Sequence, residues 1–306
     1  MRQRTIKSPV RAEGVGLHSG QRVQMTLRPA PVDSGIVFTR SDLNPSVSIK
    51  AGATAVNETA MASTLTADGP GGIVRVQTVE HLMSALAGLG VDNVFVDVTA
   101  SEIPILDGSA ASFVYLIQSA GFVEQSAFKR FIEVRKTVRV GSDRSWAQIE
   151  PHFGFKLSFS INFAHPAINS TKQEVLVDFE EQTYVRDVAN ARTFGFMQDV
   201  EMLRDMGLAR GGSFGNAIVM DEHKVLNDDG LRSGDEFAKH KILDAIGDLY
   251  IIGAPLLGAY TGFRAGHALN NELIRALVAD DTAWRWASFR ARRSAPNIFE
   301  NDWAFA

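Results

Sequence analysis

His240-Lys241-Ile242-Leu243-Asp244-Ala245-Ile246-Gly247-Asp248 reads as part of a helix that carries an imidazole and a carboxylate four residues apart. At that spacing two side chains leave one helical face a turn apart and can reach a single ion. A second segment lies in a similar frame, because His81-x3-Ala85-x2-Gly88 can be laid over His240-x3-Asp244-x2-Gly247. The surroundings repeat as well. Up to about residue 76 short strands dominate, with Val23, Met25 and Leu27 alternating with polar neighbours, followed by Ile36-Val37-Phe38 and Ile73-Val74-Arg75-Val76. A helix over about 79–88 closes at Gly88-Leu89-Gly90, and Val94-Phe95-Val96-Asp97-Val98 reads as a buried strand. Asp107 is expected to cap a second helix that Gly121 ends.

After about residue 128 the same programme recurs. Strands are expected near 131–140, 146–150, 155–163 and 174–179, helices near 184–192 and 198–206, and a strand at Ala217-Ile218-Val219-Met220. Ser233-Gly234-Asp235-Glu236 has the pattern of a capping box, opening a helix to about residue 250. A strand near 256–263 and a helix near 267–279 complete the half. Two halves that each run strands, helix, strand, helix suggest a duplication with its boundary near 124–129, giving domains 1–126 and 127–306. No linker rich in Pro or Gly separates them, so they are expected to pack and to form a cleft where ligands bind.

Composition narrows the chemistry. The 306 residues are 45% hydrophobic and 22% charged, enough for full cores without a signature of disorder. A net charge of -4 carries no footprint for nucleic acid. The absence of cysteine excludes disulfides, thiolate catalysis and zinc–sulfur sites, so any metal must use His, Asp, Glu or water. The first residues lack the apolar run of a signal peptide, and no stretch approaches the roughly 20 apolar residues that span a bilayer. The expectation is a soluble protein of the compartment where it is made.

Among the seven histidines, His240 with Asp244 offers two ligands, and His81 is the best third because it falls in the first turn of its helix, where the dipole favours a neutral imidazole. Three protein ligands and one open position describe catalytic zinc, which lowers the pKa of water to roughly 7. Taken alone, a His-x3-Asp pair on a helix is more often a surface hydrogen bond than a ligand pair. Glu80, about 100° around the helix from His81, suits a proton acceptor that does not bind the ion. His267, in Gly266-His267-Ala268-Leu269-Asn270-Asn271-Glu272, is either a neighbour of a helix cap or an imidazolium that stabilises an oxyanion, with Asp248 to orient and charge it. Thr193 either polarises a carbonyl or caps a helix end. Lys241 is either solvated or attracts a phosphate or sugar hydroxyl. Phe194, Phe196, Met197, Met202, Leu203 and Met206 form either core or an adaptable passage for an acyl chain. His18, His152, His165 and His223 receive no role.

Six segments together resemble one family. They are Thr78-Val79-Glu80-His81-Leu82, Ile103-Pro104-Ile105-Leu106-Asp107-Gly108-Ser109-Ala110, Ala191-Arg192-Thr193-Phe194-Gly195-Phe196, Gly211-Gly212-Ser213, the His240–Asp248 stretch and Gly266-His267-Ala268-Leu269-Asn270-Asn271. Their types and order are similar to those of the UDP-3-O-acyl-N-acetylglucosamine deacetylases, from Gly14-Val15-Gly16-Leu17-His18 almost to the C-terminus. The resemblance implies an α+β fold of two β-α-α-β sandwich domains packed helix layer to helix layer, each with a small insert. It implies a cytoplasmic, metal-dependent amidohydrolase of lipid A synthesis in Gram-negative bacteria, monomeric and without stable membrane insertion. His81, His240 and Asp244 would bind one zinc ion, with Fe(II) a substitute. Glu80 would be the general base, His267 the cationic partner supported by Asp248, and Thr193 the carbonyl polariser. Lys241 would contact the polar head, while Phe194, Phe196, Gly212 and Ser213 would border the acyl passage. Two other classes are weighed. A non-haem iron oxygenase shares the two-His-one-carboxylate set but takes its ligands from barrel strands. A non-catalytic binder of nucleotide sugars or lipids would need no Glu80, His81 and His267 together.

Overall fold

Val23, Met25 and Leu27 are buried and the residues between them are not, so the strand Arg22–Pro29 presents one apolar face to a core. It lies in a five-stranded sheet in the order Val10–Val15, Arg22–Pro29, Val94–Val98, Ile36–Arg40, Val47–Lys50. Every neighbour in this sheet is antiparallel except Ile36–Arg40 beside Val94–Val98. The central Val94–Val98 buries all three of its valines. A three-stranded meander of Val56–Glu58, Thr64–Gly69 and Gly72–Val76 forms a small insert ahead of the first helix. The computed structural model describes residues 1–179, 183–290 and 294–296.

The second sheet has seven strands, organised around Leu256–Phe263. One edge of that strand pairs with Ser145–Glu150; the other pairs first with Phe131–Val134 and then, from Gly258, with Phe155–Ser160. Here the expected strand near 131–140 is two strands, Phe131–Val134 and Val138–Ser142, with different partners. Phe194–Phe196 pairs in parallel with Ile218–Met220, and the helix Val200–Asp205 between them makes a second insert. The fold is α+β in two domains, as the resemblance implies. Each sheet is covered by two helices, Glu80–Gly88 with Ala111–Ala120 and Glu236–Tyr250 with His267–Ala279.

Several local expectations are corrected. Asp107 does not cap a helix: the helix starts at Ala111, and the Asp107 carboxylate accepts from Ser109 Oγ (2.7 Å), Ser112 Oγ (2.9 Å) and the Arg232 guanidinium (3.0 Å). Ser233-Gly234-Asp235-Glu236 is not a capping box either. The helix begins at Glu236, Ser233 Oγ bonds to Asp235, and the Glu236 carboxylate is taken by Arg192 Nε at 2.8 Å and the Arg232 amide at 2.6 Å. The helix expected near 184–192 is the single turn Tyr184–Asp187, because tertiary partners capture the residues that would continue it, including Arg192. Residues 122–128, where no strand was expected, form one paired with Arg2–Ile6.

All residues of Glu80–Gly88 are buried, as are thirteen along Glu236–Tyr250. The two helices are packed on each other between the sheets, as helices surrounded by protein must be. Their separation is set at Gly247, where an added Cβ would stand 2.0 Å from the Glu80 carbonyl oxygen. Nothing larger than hydrogen fits there without moving one helix. Gly247→Ala is therefore expected to cost about 1–3 kcal/mol by overpacking. That loss lowers the melting temperature by several degrees in a thermal melt; a melt superimposable on the parent's would contradict this account.

Candidate active site

The Glu236–Tyr250 helix is anchored at its first residue by the buried pair Arg192–Glu236, at 2.8 Å. Because the same segment supplies Ala191, its carbonyl reaches His240 Nδ1 at 3.1 Å. A ring N–H donated there leaves Nε2 as the free lone pair. That atom lies 3.4 Å from Asp244 Oδ1, one turn on, and His81 Nε2 lies 3.4 Å from the same oxygen. The rings of His81 and His240 meet edge to face, with centroids 5.0 Å apart. Burial pushes the His240 pKa down to about 3, more than the nearby Asp244 charge restores, so the imidazole is neutral.

Asp244 Oδ1, the oxygen that both Nε2 atoms approach, is buried without a hydrogen-bond partner. Such a group is costly unless something satisfies it. Ligands about 2.0–2.1 Å from a tetrahedral ion lie about 3.4 Å from one another, which matches both spacings. His81, His240 and Asp244 thus fit a metal ion by chemistry and by separation.

Glu80, Asp248 and His267 form a second cluster beside the first, also with ligand-capable atoms within 4.8 Å of one another. Three of its four carboxylate oxygens, in contrast, already have donors. Asp248 Oδ2 receives His267 Nδ1 at 2.9 Å and Asn270 Nδ2 at 2.8 Å, and Oδ1 receives Ser63 Oγ at 2.6 Å. The Ser63 amide donates to Glu80 Oε2 at 3.0 Å. Burial raises the Glu80 carboxyl, against the opposing pull of His267 and His81. Burial would lower His267, but the charge and hydrogen bond of Asp248, then Glu80, outweigh it and bring the imidazolium to about 9. A base shifted toward neutrality and a protonated acid stand side by side.

Thr193, Phe194, Phe196, Gly212 and Ser213 line one pocket of about 240 Å³, together with Leu17, Met61 and Leu203. The Phe194 ring also contacts His240, at 6.2 Å between centroids, so the pocket leads to the paired histidines. Met197 lines it as well, whereas Met202 and Met206 are exposed outside it; Phe194 and Phe196 are partly buried and also pack against the core. Lys241 is partly exposed but not free: its ammonium donates to Asp244 Oδ2 at 2.7 Å. It also borders a second pocket of about 260 Å³, with Arg264, Asn162 and Phe163.

A sequence profile of the UDP-3-O-acyl N-acetylglycosamine deacetylases, LpxC, matches residues 3–279. The chain belongs to this family. LpxC proteins are deacetylases of lipid A synthesis, and the matched region contains both clusters and both pockets.

Sequence reasoning about this LpxC chain missed several groups. Asn270 sits one turn after His267 within the same motif, and that spacing was a usable signal. Ser63 binds both Glu80 and Asp248 from a loop with no periodicity, and Arg192 and Glu236 are 44 residues apart. Arg264 and Phe163 carried no local pattern.

His267 gains Asp248 only on folding. The pair therefore contributes stability fully below about pH 6.5 and loses it as pH rises through about 9. A reaction that needs the imidazolium loses rate over the same upper limb. Asp248→Asn should move that limb down by about one unit or more. A pH–rate profile checks this, and an unmoved limb would contradict the assignment.

Proposed function

We propose that the chain hydrolyses the N-acetyl group of UDP-3-O-acyl-N-acetylglucosamine, releasing acetate and UDP-3-O-acyl-glucosamine at the committed step of lipid A biosynthesis. The observation that carries this reading is the adjacency of two buried clusters of opposite character. One leaves a buried carboxylate oxygen unpartnered between two imidazole nitrogens; in the other, the Asp248 carboxylate is fully hydrogen-bonded and pairs with His267 beside Glu80. His81, His240 and Asp244 would hold one Zn²⁺, with Fe(II) a substitute. A bound ion supplies Lewis-acid polarisation of the amide carbonyl and lowers the pKa of water.

Glu80 accepts the proton of the attacking water. Its raised pKa keeps that proton within reach of transfer. His267 faces the oxygen that becomes negative and, as an imidazolium, stabilises it. It then gives its proton to the sugar nitrogen as the C–N bond breaks, so the leaving group departs as an amine. Asp248 holds the His267 ring by Nδ1 and keeps it charged. Thr193, at the pocket wall, polarises the same carbonyl.

Phe194, Phe196, Gly212 and Ser213 border the passage for the acyl chain, whose apolar lining supports this reading. Lys241, with Arg264 across the second pocket, offers positive charge to the diphosphate end. We place the domain division after residue 126, so that residues 1–126 supply Glu80 and His81 and residues 127–306 supply His240, Asp244 and His267. All of these groups come from one chain, which supports a monomer. A cytoplasmic setting is part of the same proposal, and no helix among the described residues is long and apolar enough to cross a membrane.

The purified protein is expected to release acetate from UDP-3-O-acyl-N-acetylglucosamine, to stop when treated with chelator, and to recover with limited zinc. Glu80→Gln should lose about 10²–10⁴-fold in turnover while keeping its metal, whereas His81→Ala should lose both. Chelator-insensitive release, or full metal occupancy in His81→Ala measured by elemental analysis, would contradict the ligand assignment. No release from the folded, zinc-loaded protein would end the deacetylase reading.

A further inference from the structure

Glu102 belongs to neither cluster, yet it is completely buried, and no lysine or arginine pairs with it among the described residues. Its Oε1 accepts the His18 amide at 2.8 Å and the Thr78 hydroxyl at 2.9 Å, and its Oε2 accepts the Ser19 amide at 2.8 Å. A buried carboxylate is tolerated only when such donors satisfy it, and charge-assisted bonds of this kind are short and strong. The three donors come from two segments that are otherwise far apart in sequence.

One segment is the turn that opens the Glu80–Gly88 helix. Thr78 has φ +57°, a left-handed conformation that a β-branched residue adopts only when its surroundings impose it. The constraint is visible on both sides: the Gln77 amide donates to the Ser101 carbonyl at 2.8 Å, and the Ile103 amide donates to the Gln77 carbonyl at 3.0 Å. The other segment is the Gly16–Ser19 loop, a motif to which the proposed chemistry gives no part. A Cβ on Gly16 would fall 2.2 Å from Glu102 Oε2, so the loop approaches the carboxylate as closely as glycine permits. Leu17 and His18 form part of the 240 Å³ pocket. Their carbonyls receive the amides of Gly211 and Arg210 at 3.0 and 3.1 Å, which ties the loop to the segment whose Ala209 and Gly212 line the same pocket.

We infer that Glu102 is a positioning residue that couples the wall of the acyl pocket to the turn carrying Glu80 and His81. An acyl chain that seats against Leu17 and His18 loads the loop, the loop bears on the carboxylate, and the carboxylate holds Thr78 and hence the orientation of Glu80. Binding energy from a remote part of a substrate is expressed in kcat when it orients the reacting groups in this way. The inference rests on the deacetylase reading above.

The test compares kcat and KM for UDP-3-O-acyl-N-acetylglucosamine carrying a long or a much shortened acyl chain. It uses the parent, Glu102→Gln and Thr78→Val. Glutamine puts an NH₂ where one acceptor oxygen stood, while valine removes only the hydroxyl and leaves both amide bonds in place. The parent should turn over the long-chain substrate faster than the short one. In each variant kcat on the long chain should fall about tenfold, the size expected when one oriented hydrogen bond is lost from the barrier. Turnover of the short chain, KM for the long chain and metal content should change less than about twofold, within what uncoupled contacts allow. A parent with no chain-length effect on kcat, variants that keep the parent's ratio, or variants that slow equally on both substrates would overturn the inference while leaving deacetylation intact. Failure of both variants to fold would also overturn it, by making the carboxylate a requirement of the fold. Absence of acetate release by the parent is the separate result that removes the deacetylase reading itself.

Discussion

The approach of two helices at Gly247 is the constraint on which the site depends. With only a hydrogen facing the Glu80 carbonyl, the Glu80–Gly88 helix can lie directly on Glu236–Tyr250. That contact brings His81 to the same carboxylate oxygen that His240 faces from its own helix. It also puts Glu80 beside Asp248, one turn beyond Asp244. A wider spacing would separate both clusters at once, because each draws side chains from both helices. The far ends are tied by Tyr250, whose hydroxyl donates to the Val91 carbonyl at 2.9 Å, and by the buried ammonium of Lys129, 2.6 Å from Asp92.

Charge is partitioned sharply within this small volume. Three buried carboxylates, Glu80, Asp244 and Asp248, stand close together, and water cannot screen their repulsion. Asp248 is balanced by His267 and saturated with donors. Asp244 has Lys241 on one oxygen and leaves the other toward Nε2 of His81 and of His240. Glu80 has no lysine or arginine hydrogen-bonded to it among the described residues, and burial makes it hold its proton more tightly. An ion at His81, His240 and Asp244 would supply the missing positive charge. This is a physical reason to expect the metal there rather than at the hydrogen-bonded set beside it.

Much of this was legible in the sequence because it is periodic. The i, i+4 pair of His240 and Asp244, the first-turn position of His81, and Asp248 two turns past His240 follow from helical geometry, and the structure brings these residues together. The alternation at Val23, Met25 and Leu27 likewise marked a strand. What escaped depends on long-range partners. Arg2–Ile6 and Phe122–Phe128 become strands by pairing with each other across more than a hundred residues. Ser63 acquires its place from Glu80 and Asp248 rather than from its neighbours. The apparent capping box at Ser233 failed for the same reason, since Arg192 claims the carboxylate that a local rule assigned to the helix end.

The position of the ion separates the two clusters most directly. Crystals of the zinc-loaded protein, measured at the zinc absorption edge, locate the ion directly by its anomalous scattering. One fully occupied peak is expected, bonded to Nε2 of His81, Nε2 of His240 and Oδ1 of Asp244, with Glu80, Asp248 and His267 keeping their hydrogen bonds. A principal peak within Glu80, Asp248 and His267, with the first three residues unliganded, would contradict this assignment.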